Sequence, residues 1–215
     1  MIVLQEIKMK AIAFDVDGTL VYETSSWLTV HRYFNTLEQA GENLKQYNNK
    51  IIDYQTFMKK DIELWGHSVH IDTIQSILSK FTLHPKANKI VVELKNKGYE
   101  IILVSAGLDV LVERVANELQ IEYFVSNGLE THNDGYLTGN GIFRVDLIRK
   151  DTALSQMLQR INVEPRNCIS VGDSKYDVDF LKHSGIGIAV GNDKELIKYA
   201  HYAINDLSEI LDLID

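Results

Sequence analysis

Two aspartates, Asp15 and Asp17, stand two positions apart in the segment DVDGT over 15–19. In an extended chain, residues two apart point to the same side, so the two carboxylates face a common space. Close carboxylates repel each other unless a cation lies between them or one of them keeps a proton. The pair therefore suits a divalent metal ion or general acid–base work, whereas a polar turn after a strand is the alternative for this segment alone.

Acidic residues recur in GDSKYD over 172–177. Asp173 follows an apolar run, and Asp177 comes about one helical turn later. Mg²⁺ keeps several of its waters and binds through one or two carboxylates, so oxygen ligands from two separate segments suit this ion. The alternative is a helix with acidic residues in its first turn, where they interact favourably with the helix dipole.

A hydroxyl and a basic side chain complete the set of candidates. In the tripeptide SAG, Ser105 and the amides of Ala106 and Gly107 could form a cradle for an anion. An ordinary helix N-cap with a glycine turn is the alternative. Lys150 precedes a predicted helix and could neutralise a carboxylate or a phosphate, although its neighbour Arg149 competes for that role and a solvated surface lysine is the alternative.

Short apolar strands alternating with amphipathic helices must position these residues. This alternation predicts an α/β fold, a three-layer doubly wound parallel sheet of the Rossmann-like kind. Three of the predicted strands end at Asp15, Ser105 and Asp173. Because ligands bind beyond the carboxyl ends of parallel strands, we expect these side chains to meet in one crevice. The strands are expected at 11–14, 100–104, 121–125, 167–171 and 186–190, with a hairpin in 126–143, and the core helices at 85–97, 108–119, 151–161 and 176–183.

The region between the first strand and Pro85 shows only helical periodicity. One helix is expected to carry an apolar face from Trp27 to Leu37 and to stop at Gly41, and a looser one to follow near Phe57. A last helix is expected to begin with a capping box formed by Asp72 and Gln75, and Pro85 to open the next core helix. We therefore predict an α/β core over 1–21 and 85–215, and a small all-helical cap subdomain over 22–84.

Composition limits the function classes. The chain has 215 residues, a net charge of −8 and one cysteine, Cys168. The acidic balance disfavours a basic nucleic-acid-binding surface, and a single cysteine excludes an intrachain disulfide. The longest apolar stretch, 101–112, is too short to span a bilayer. We expect a cytoplasmic protein with no membrane partner, as a monomer or a homodimer.

The segments DVDGT, VSAG, the Lys150 region and GDSKYD resemble, in chain order, the four motifs of the haloacid dehalogenase superfamily of phosphatases. The helical region directly after the first motif and the NGLE…GYLTG segment are similar to the phosphoserine phosphatase-like branch. The resemblance covers residues 9–205.

The resemblance implies a Mg²⁺-dependent phosphatase that forms an aspartyl-phosphate on Asp15. Asp17 would serve as general acid and base, and its backbone carbonyl would contact the metal together with Asp15 and Asp173. Ser105, Ala106 and Gly107 would hold phosphate oxygens. Lys150 would stabilise the charges of Asp15 and of the phosphoryl group, and Asp177 would support Lys150 or a metal-bound water.

The substrate implied by the resemblance is a small phosphorylated metabolite. Phosphoserine is one candidate, for which Glu23 would contact the amino acid, and phosphoglycolate is another. No arginine occurs between Arg32 and Arg114, so a carboxylate clamp in the cap would have to use Arg32, Lys59 or Lys60.

Other activities stay open beside the phosphatase. A phosphotransferase is the near alternative, because it would need the same nucleophile. A non-enzymatic phosphoacceptor domain is disfavoured, since such a domain is shorter, has no helical insertion and needs no acid at the position of Asp17.

Overall fold

A computed structural model describes residues 10–66 and 68–214. Its centre is a seven-stranded sheet in the order β4-β3-β2-β1-β5-β6-β7, in which every neighbouring pair is parallel except β3 and β4. This sheet confirms the predicted α/β fold. The strands are β1 Lys10–Phe14, β2 Tyr99–Leu108, β3 Tyr123–Thr131, β4 Leu137–Ile142, β5 Cys168–Gly172, β6 Ile186–Val190 and β7 Tyr202–Ile204.

Ten α-helices are present in the described part of the chain. Four of them, α1 to α4, lie between β1 and α5, within the range predicted for the cap. The helices are α1 Ser26–Tyr33, α2 Leu37–Asn48, α3 Tyr54–Leu64, α4 Ile71–Leu78, α5 Ala87–Asn96, α6 Asp109–Glu118, α7 Lys150–Arg160, α8 Val178–His183, α9 Lys194–Ile197 and α10 Ile210–Leu213. None of these helices is long and apolar enough to cross a membrane.

The central strand β1 is buried on both faces, which explains its unbroken apolar sequence AIAF. It pairs with β2 on one side and β5 on the other, so the segments that follow these three strands leave the sheet side by side. The first nine residues of the predicted core lie outside the described part of the chain.

Two strand predictions differ from the structure in extent. Strand β2 does not end before Ser105 but continues to Leu108, with an irregularity in its pairing to β3 between Val104 and Leu108. Strand β3 runs to Thr131 and forms the predicted hairpin with β4. The short edge strand β7 was not predicted, because three residues carry too little periodicity to be recognised.

The prediction of one helix from Trp27 towards a stop at Gly41 is wrong. Helix α1 ends at Tyr33, and Asn35 adopts a positive φ of 57° that reverses the chain before α2 begins. Asparagine tolerates this left-handed conformation better than most residues do. Leu37 therefore opens a second helix and is 40% exposed, while Gly41 lies inside α2.

Two helix starts also differ from the predictions. At α4 the N-cap is His70, whose Nδ1 accepts the amide of Asp72, so the predicted capping box of Asp72 with Gln75 is wrong. Helix α5 begins at Ala87 rather than at Pro85, which lies in the turn before it.

The two segments that connect the helical region to the core run next to each other. The amide of Tyr22 donates to the carbonyl of Thr82 at 3.1 Å, and the amide of His84 donates to the carbonyl of Leu20 at 2.8 Å. The helices α1 to α4 therefore emerge from the core on a paired stem beside the end of β1.

Candidate active site

The structure brings the predicted carboxylates and the predicted lysine together beyond the carboxyl ends of β1 and β5. Asp15 follows β1, and its amide donates to the carbonyl of Val171 in β5 at 2.9 Å. Asp173 and Asp177 follow β5, and Lys150 is the first residue of α7. Ligand atoms of Asp15, Asp173 and Asp177 all lie within 4.8 Å of one another.

Lys150 lies between two of these carboxylates and is 3% exposed. Its Nζ is 2.8 Å from Oδ1 of Asp15 and 2.6 Å from Oδ1 of Asp177. Burial alone would lower the pKa of Lys150, but the two carboxylates outweigh burial and raise this pKa, so the side chain stays positively charged. Its neighbour Arg149 instead pairs with Asp151 at the surface.

Oδ2 of Asp177 accepts the backbone amides of Asp173 and Ser174, each at 3.2 Å. With Oδ1 bound to Lys150, this carboxylate holds both the lysine and the turn that carries Asp173. Asp177 therefore orients its neighbours, which agrees with the supporting role that the sequence resemblance implied.

The residues present fit a divalent cation. Asp15, Asp17, Asp173 and Asp177 place four carboxylates around the single ammonium of Lys150. Burial, followed by the charge of Asp177, raises the pKa of Asp173 to about 7. Burial and the other carboxylates likewise raise the pKa of Asp15, against the effect of Lys150. A hard cation would compensate this excess of negative charge, and carboxylate oxygens are the ligands that Mg²⁺ prefers.

Close approach of the first motif to Asp173 depends on a glycine. A Cβ placed on Gly18 would lie 2.3 Å from Oδ2 of Asp173, and Gly18 has a positive φ of 81°. Both the space and the backbone conformation therefore require glycine at this position.

Asp17 is held by the start of α1. Its carboxylate accepts the backbone amide of Ser26 at 3.0 Å and the Ser26 hydroxyl at 3.2 Å, and the Ser105 hydroxyl lies 3.4 Å away. Burial raises the pKa of Asp17 to about 6, although Lys150 and the hydrogen bonds from Ser26 oppose this effect. A carboxyl group with this pKa exchanges a proton readily near neutral pH, as a general acid and base must.

The predicted phosphate cradle is tightly built. The amide of Gly107 donates to the Ser105 hydroxyl at 2.9 Å, and a Cβ on Gly107 would lie 2.1 Å from Oδ2 of Asp17. The carbonyl of Ala106 accepts three hydrogen bonds, from the Trp27 indole and the Tyr54 hydroxyl of the helical region and from the Asn127 amide of β3. These bonds fix the peptide groups of the cradle.

A cavity of about 220 Å³ opens from this cluster towards the helices α1 to α3. One end is lined by the catalytic candidates Asp15, Asp17, Ser105, Lys150 and Asp173. Much of the remaining lining is apolar or aromatic, with side chains that include Trp27, Leu28, Leu44, Tyr54 and Phe57.

Glu23 is brought neither to the carboxylate cluster nor to this cavity. The carboxylate of Glu23 accepts the backbone amide of Thr82 at 3.0 Å, on the stem that joins the helices to the core. Neither Glu23 nor Arg32, Lys59 or Lys60 is among the residues that line the cavity.

Sequence reasoning missed Ser26 and Tyr54 as parts of the site. The signal for Ser26 was the run TSS before an apolar helical face, which marks a helix start whose free amides can bind a carboxylate. No comparable signal existed for Tyr54, because its role depends on how the helices pack against the cradle.

Comparison with known proteins agrees with this geometry. Residues 12–182 match the family of haloacid dehalogenase-like hydrolases. The chain is 28% identical over 215 residues to a phosphoserine phosphatase from Methanocaldococcus jannaschii, covering 97% of this chain and 99% of that protein. It is 27% identical over 213 residues to a phosphoserine phosphatase from Polaromonas sp., covering 95% of this chain and 89% of that protein.

A solved structure named as a phospho-aspartyl intermediate analogue of phosphoserine phosphatase is also similar. It superposes with a TM-score of 0.80 at 26% identity, covering 97% of this chain and all of that chain. The family match spans the first motif, the cradle, Lys150 and the second acidic motif. The chain therefore belongs to the haloacid dehalogenase-like hydrolase family and, within it, resembles the phosphoserine phosphatases.

Proposed function

We propose that the protein is a Mg²⁺-dependent phosphatase that hydrolyses a small phosphomonoester through an aspartyl-phosphate on Asp15. The observation that carries this proposal is the buried contact of Asp15 with Lys150, at the mouth of a cavity that also holds Asp17 and Ser105. Phosphoryl transfer needs mainly positioning and charge stabilisation, and this cluster supplies both. The relatives named as phosphatases support the same reaction class.

The first step transfers the phosphoryl group to the protein. A carboxylate oxygen of Asp15 attacks phosphorus, the bond from phosphorus to the ester oxygen breaks, and protonated Asp17 gives its proton to the leaving alcohol. Ser105 and the amides of the cradle bind phosphoryl oxygens, and Lys150 compensates their charge. The hydrogen bonds from Ser26 hold Asp17 in position for this transfer.

The second step returns Asp15 to its free form. Asp17, now ionised, takes a proton from water, the water oxygen attacks phosphorus, and the bond from phosphorus to Asp15 breaks to release inorganic phosphate. Mg²⁺, held by Asp15, Asp173 and the backbone carbonyl of Asp17, would supply positive charge next to the phosphoryl oxygens.

The same residues would serve a phosphotransferase, in which an alcohol replaces water in the second step. The cavity gives no observation that favours this alternative. We retain a small phosphorylated metabolite as partner, a cytoplasmic location and a monomeric or homodimeric state as expectations.

Phosphate release from p-nitrophenyl phosphate, with Mg²⁺ and with excess chelator, tests the proposal. We expect sustained turnover with Mg²⁺, reversible loss with chelator, and no turnover by Asp15→Asn. An exposed control, Asp72→Asn, should keep full activity. A single stoichiometric burst, or full activity of Asp15→Asn, would contradict the proposal, and an added acceptor alcohol that becomes phosphorylated would favour the phosphotransferase.

A further inference from the structure

We propose that the alcohol part of the natural substrate is a compact hydrocarbon group that packs against the helices α1 to α3. This inference rests on the proposed phosphatase function and names the substrate class of the same site. It departs from phosphoserine, whose alcohol part carries an ammonium group and a carboxylate, both of which need polar partners.

The cavity is continuous with the catalytic cluster, which determines what can fill it. Asp15, Ser105 and Lys150 line the same space of about 220 Å³ as side chains of α1 to α3. A phosphoryl group bound in the cradle would therefore direct the rest of its ester into this space. The lining beyond the cradle is thus the surface that contacts the alcohol part of the substrate.

This lining is rich in hydrocarbon surface. The helices contribute indole, leucine and phenyl side chains, and the segment between β4 and α7 adds a leucine from the core. These side chains are Trp27, Leu28, Leu44, Phe57 and Leu147. An apolar group that displaces water from such walls gains binding free energy in proportion to the apolar area that it buries.

The polar groups of the two aromatic residues beside the cradle are already used within the protein. The Trp27 indole N–H donates to the carbonyl of Ala106 at 3.0 Å, and the Tyr54 hydroxyl donates to the same carbonyl at 3.1 Å. The Trp27 side chain has no further polar group, and Tyr54 is only 3% exposed. Both residues therefore offer a ligand mainly ring surface, which favours a hydrocarbon group.

Two polar residues of the lining, His31 and Asp61, contact each other and their neighbours. Nε2 of His31 lies 3.2 Å from Oδ2 of Asp61, and Oδ1 of Asp61 accepts the Asn43 amide at 2.8 Å. Nδ1 of His31 lies 3.1 Å from the indole nitrogen of Trp65 and 2.8 Å from the hydroxyl oxygen of Thr36. A polar substrate group would have to compete with these contacts, whereas a hydrocarbon group leaves all of them intact.

Hydroxyl groups are sparse in the rest of the described lining. The Ser25 hydroxyl caps α1, and the Ser174 hydroxyl lies 3.4 Å from Oδ2 of Asp177. Thr24 is exposed, so its hydroxyl can keep its water. The Tyr176 hydroxyl could bind a single polar substituent, but one hydroxyl cannot satisfy both an ammonium group and a carboxylate. The lining therefore matches a hydrocarbon group better than the alcohol part of phosphoserine.

Binding of hydrolysis-resistant phosphonates tests this inference separately from turnover. We would measure Kd values by calorimetry, with Mg²⁺ present, for ethylphosphonate, butylphosphonate, 3-hydroxypropylphosphonate and 2-amino-4-phosphonobutyrate. The hydroxypropyl compound has the shape of the butyl compound, with a hydroxyl in place of the terminal methyl group. The last compound is phosphoserine with a methylene group in place of the ester oxygen.

We expect butylphosphonate to bind at least about tenfold more tightly than ethylphosphonate, because each of two buried methylene groups contributes about fourfold. It should also bind at least about fivefold more tightly than the hydroxypropyl compound and the amino acid compound, whose polar groups lose water in the cavity. Equal or tighter binding of either polar compound, or equal binding of the ethyl and butyl compounds, overturns the inference.

A variant of the lining locates the preference. Leu28→Asn puts a polar side chain of similar shape into the wall and should reduce the ratio of hydroxypropyl to butyl Kd at least about threefold. Leu28 is 40% exposed, so the fold should tolerate the change. Leu37→Asn is the matched control, because Leu37 is also 40% exposed in a helix of the same region but is not part of the lining.

An unchanged ratio in Leu28→Asn, or an equal fall in both variants, contradicts the inference. If Leu28→Asn fails to fold, the phosphonate series on the unchanged protein decides alone. Absence of p-nitrophenyl phosphate turnover beside a retained preference for butylphosphonate would refute the phosphatase proposal and leave the binding inference supported. Turnover beside a preference for the polar phosphonates would do the reverse.

Discussion

The ammonium nitrogen of Lys150 lies 2.8 Å from Oδ1 of Asp15, and both side chains are at most 5% exposed. The lysine opens α7, whereas the aspartate follows the central strand β1, so the contact joins two distant parts of the chain. Because both charges have lost their water, each depends on the other for compensation. The proposed nucleophile and the charge that would stabilise its product are therefore positioned by a single contact.

Replacing Lys150 with methionine should damage both catalysis and stability. The variant leaves Asp15 and Asp177 buried without their shared cation, which costs about 3–5 kcal/mol in comparable cases. We expect turnover to fall at least about a hundredfold. Phosphate release and urea unfolding measure the two effects.

Lys198→Met is the matched control, since Lys198 forms an exposed pair with Glu195. Such pairs contribute less than about 1 kcal/mol, so this variant should retain activity and stability. Normal turnover by Lys150→Met would show that Asp15 does not need the lysine.

The convergence of Asp15, Ser105 and Asp173 could be predicted from sequence because it follows from topology. Parallel strands that alternate with helices carry their carboxyl ends to one edge of the sheet, whatever the details of packing. The place of Lys150 beside these carboxylates came instead from the resemblance of its region to a family motif. The fold and the catalytic end of the cavity were therefore accessible from pattern alone.

The substrate end was not accessible in this way. The hydrogen bonds of Trp27 and Tyr54 to the Ala106 carbonyl span 79 and 52 residues, and they depend on how the helices pack against the core. Glu23 shows the opposite case. Its nearness to the first motif suggested a contact with substrate, but its carboxylate accepts the backbone amide of Thr82. Periodicity carries no information on such pairings.

Gly107→Ala should disturb Asp17, the proposed acid–base residue, directly. The added Cβ would lie 2.1 Å from Oδ2 of Asp17 and 2.7 Å from the Ser26 hydroxyl, so at least one of these groups must move. We expect kcat/KM to fall at least about tenfold, with a loss of about 1–3 kcal/mol in the free energy of unfolding. Gln75→Ala, an exposed change on α4 away from the lining of the cavity, is the control. Equal kinetics of the two variants would refute this account of Gly107.

Ser26→Ala should shift the pH profile. The Ser26 hydroxyl lowers the pKa of Asp17, so its loss should raise this pKa above its present value of about 6. Protonated Asp17 is needed to release the alcohol, and the fall of kcat/KM at high pH should therefore move to higher pH. Ser25→Ala removes the N-cap of α1, which costs about 1 kcal/mol, but should leave the profile in place. A profile that moves equally in both variants would assign the effect to α1 rather than to the hydrogen bond.

Without metal, Asp173 should make the folded protein less stable as the pH rises. Its pKa is about 7 in the folded protein and 3.8 in its ordinary state, so between these values the folded chain binds a proton that the unfolded chain has lost. This favours folding at low pH, and the advantage disappears as the pH rises through about 7. At pH 8 the charge of the partly buried Asp173 then opposes folding, because it lies beside Asp177.

Asp173→Asn removes this charge, so we expect the metal-free variant to be more stable than the metal-free wild type at pH 8 and similar to it near pH 4. One pKa unit corresponds to about 1.4 kcal/mol, which predicts a rise in melting temperature of at least about 2–4 °C. Mg²⁺ should reverse this order of stability at pH 8. The ion compensates the Asp173 carboxylate of the wild type, whereas the variant offers it one ligand fewer. Melting curves at both pH values, with chelator and with Mg²⁺, measure the four cases. If Mg²⁺ stabilised the two proteins equally, Asp173 would not be a ligand of the metal, and its buried charge would need another explanation.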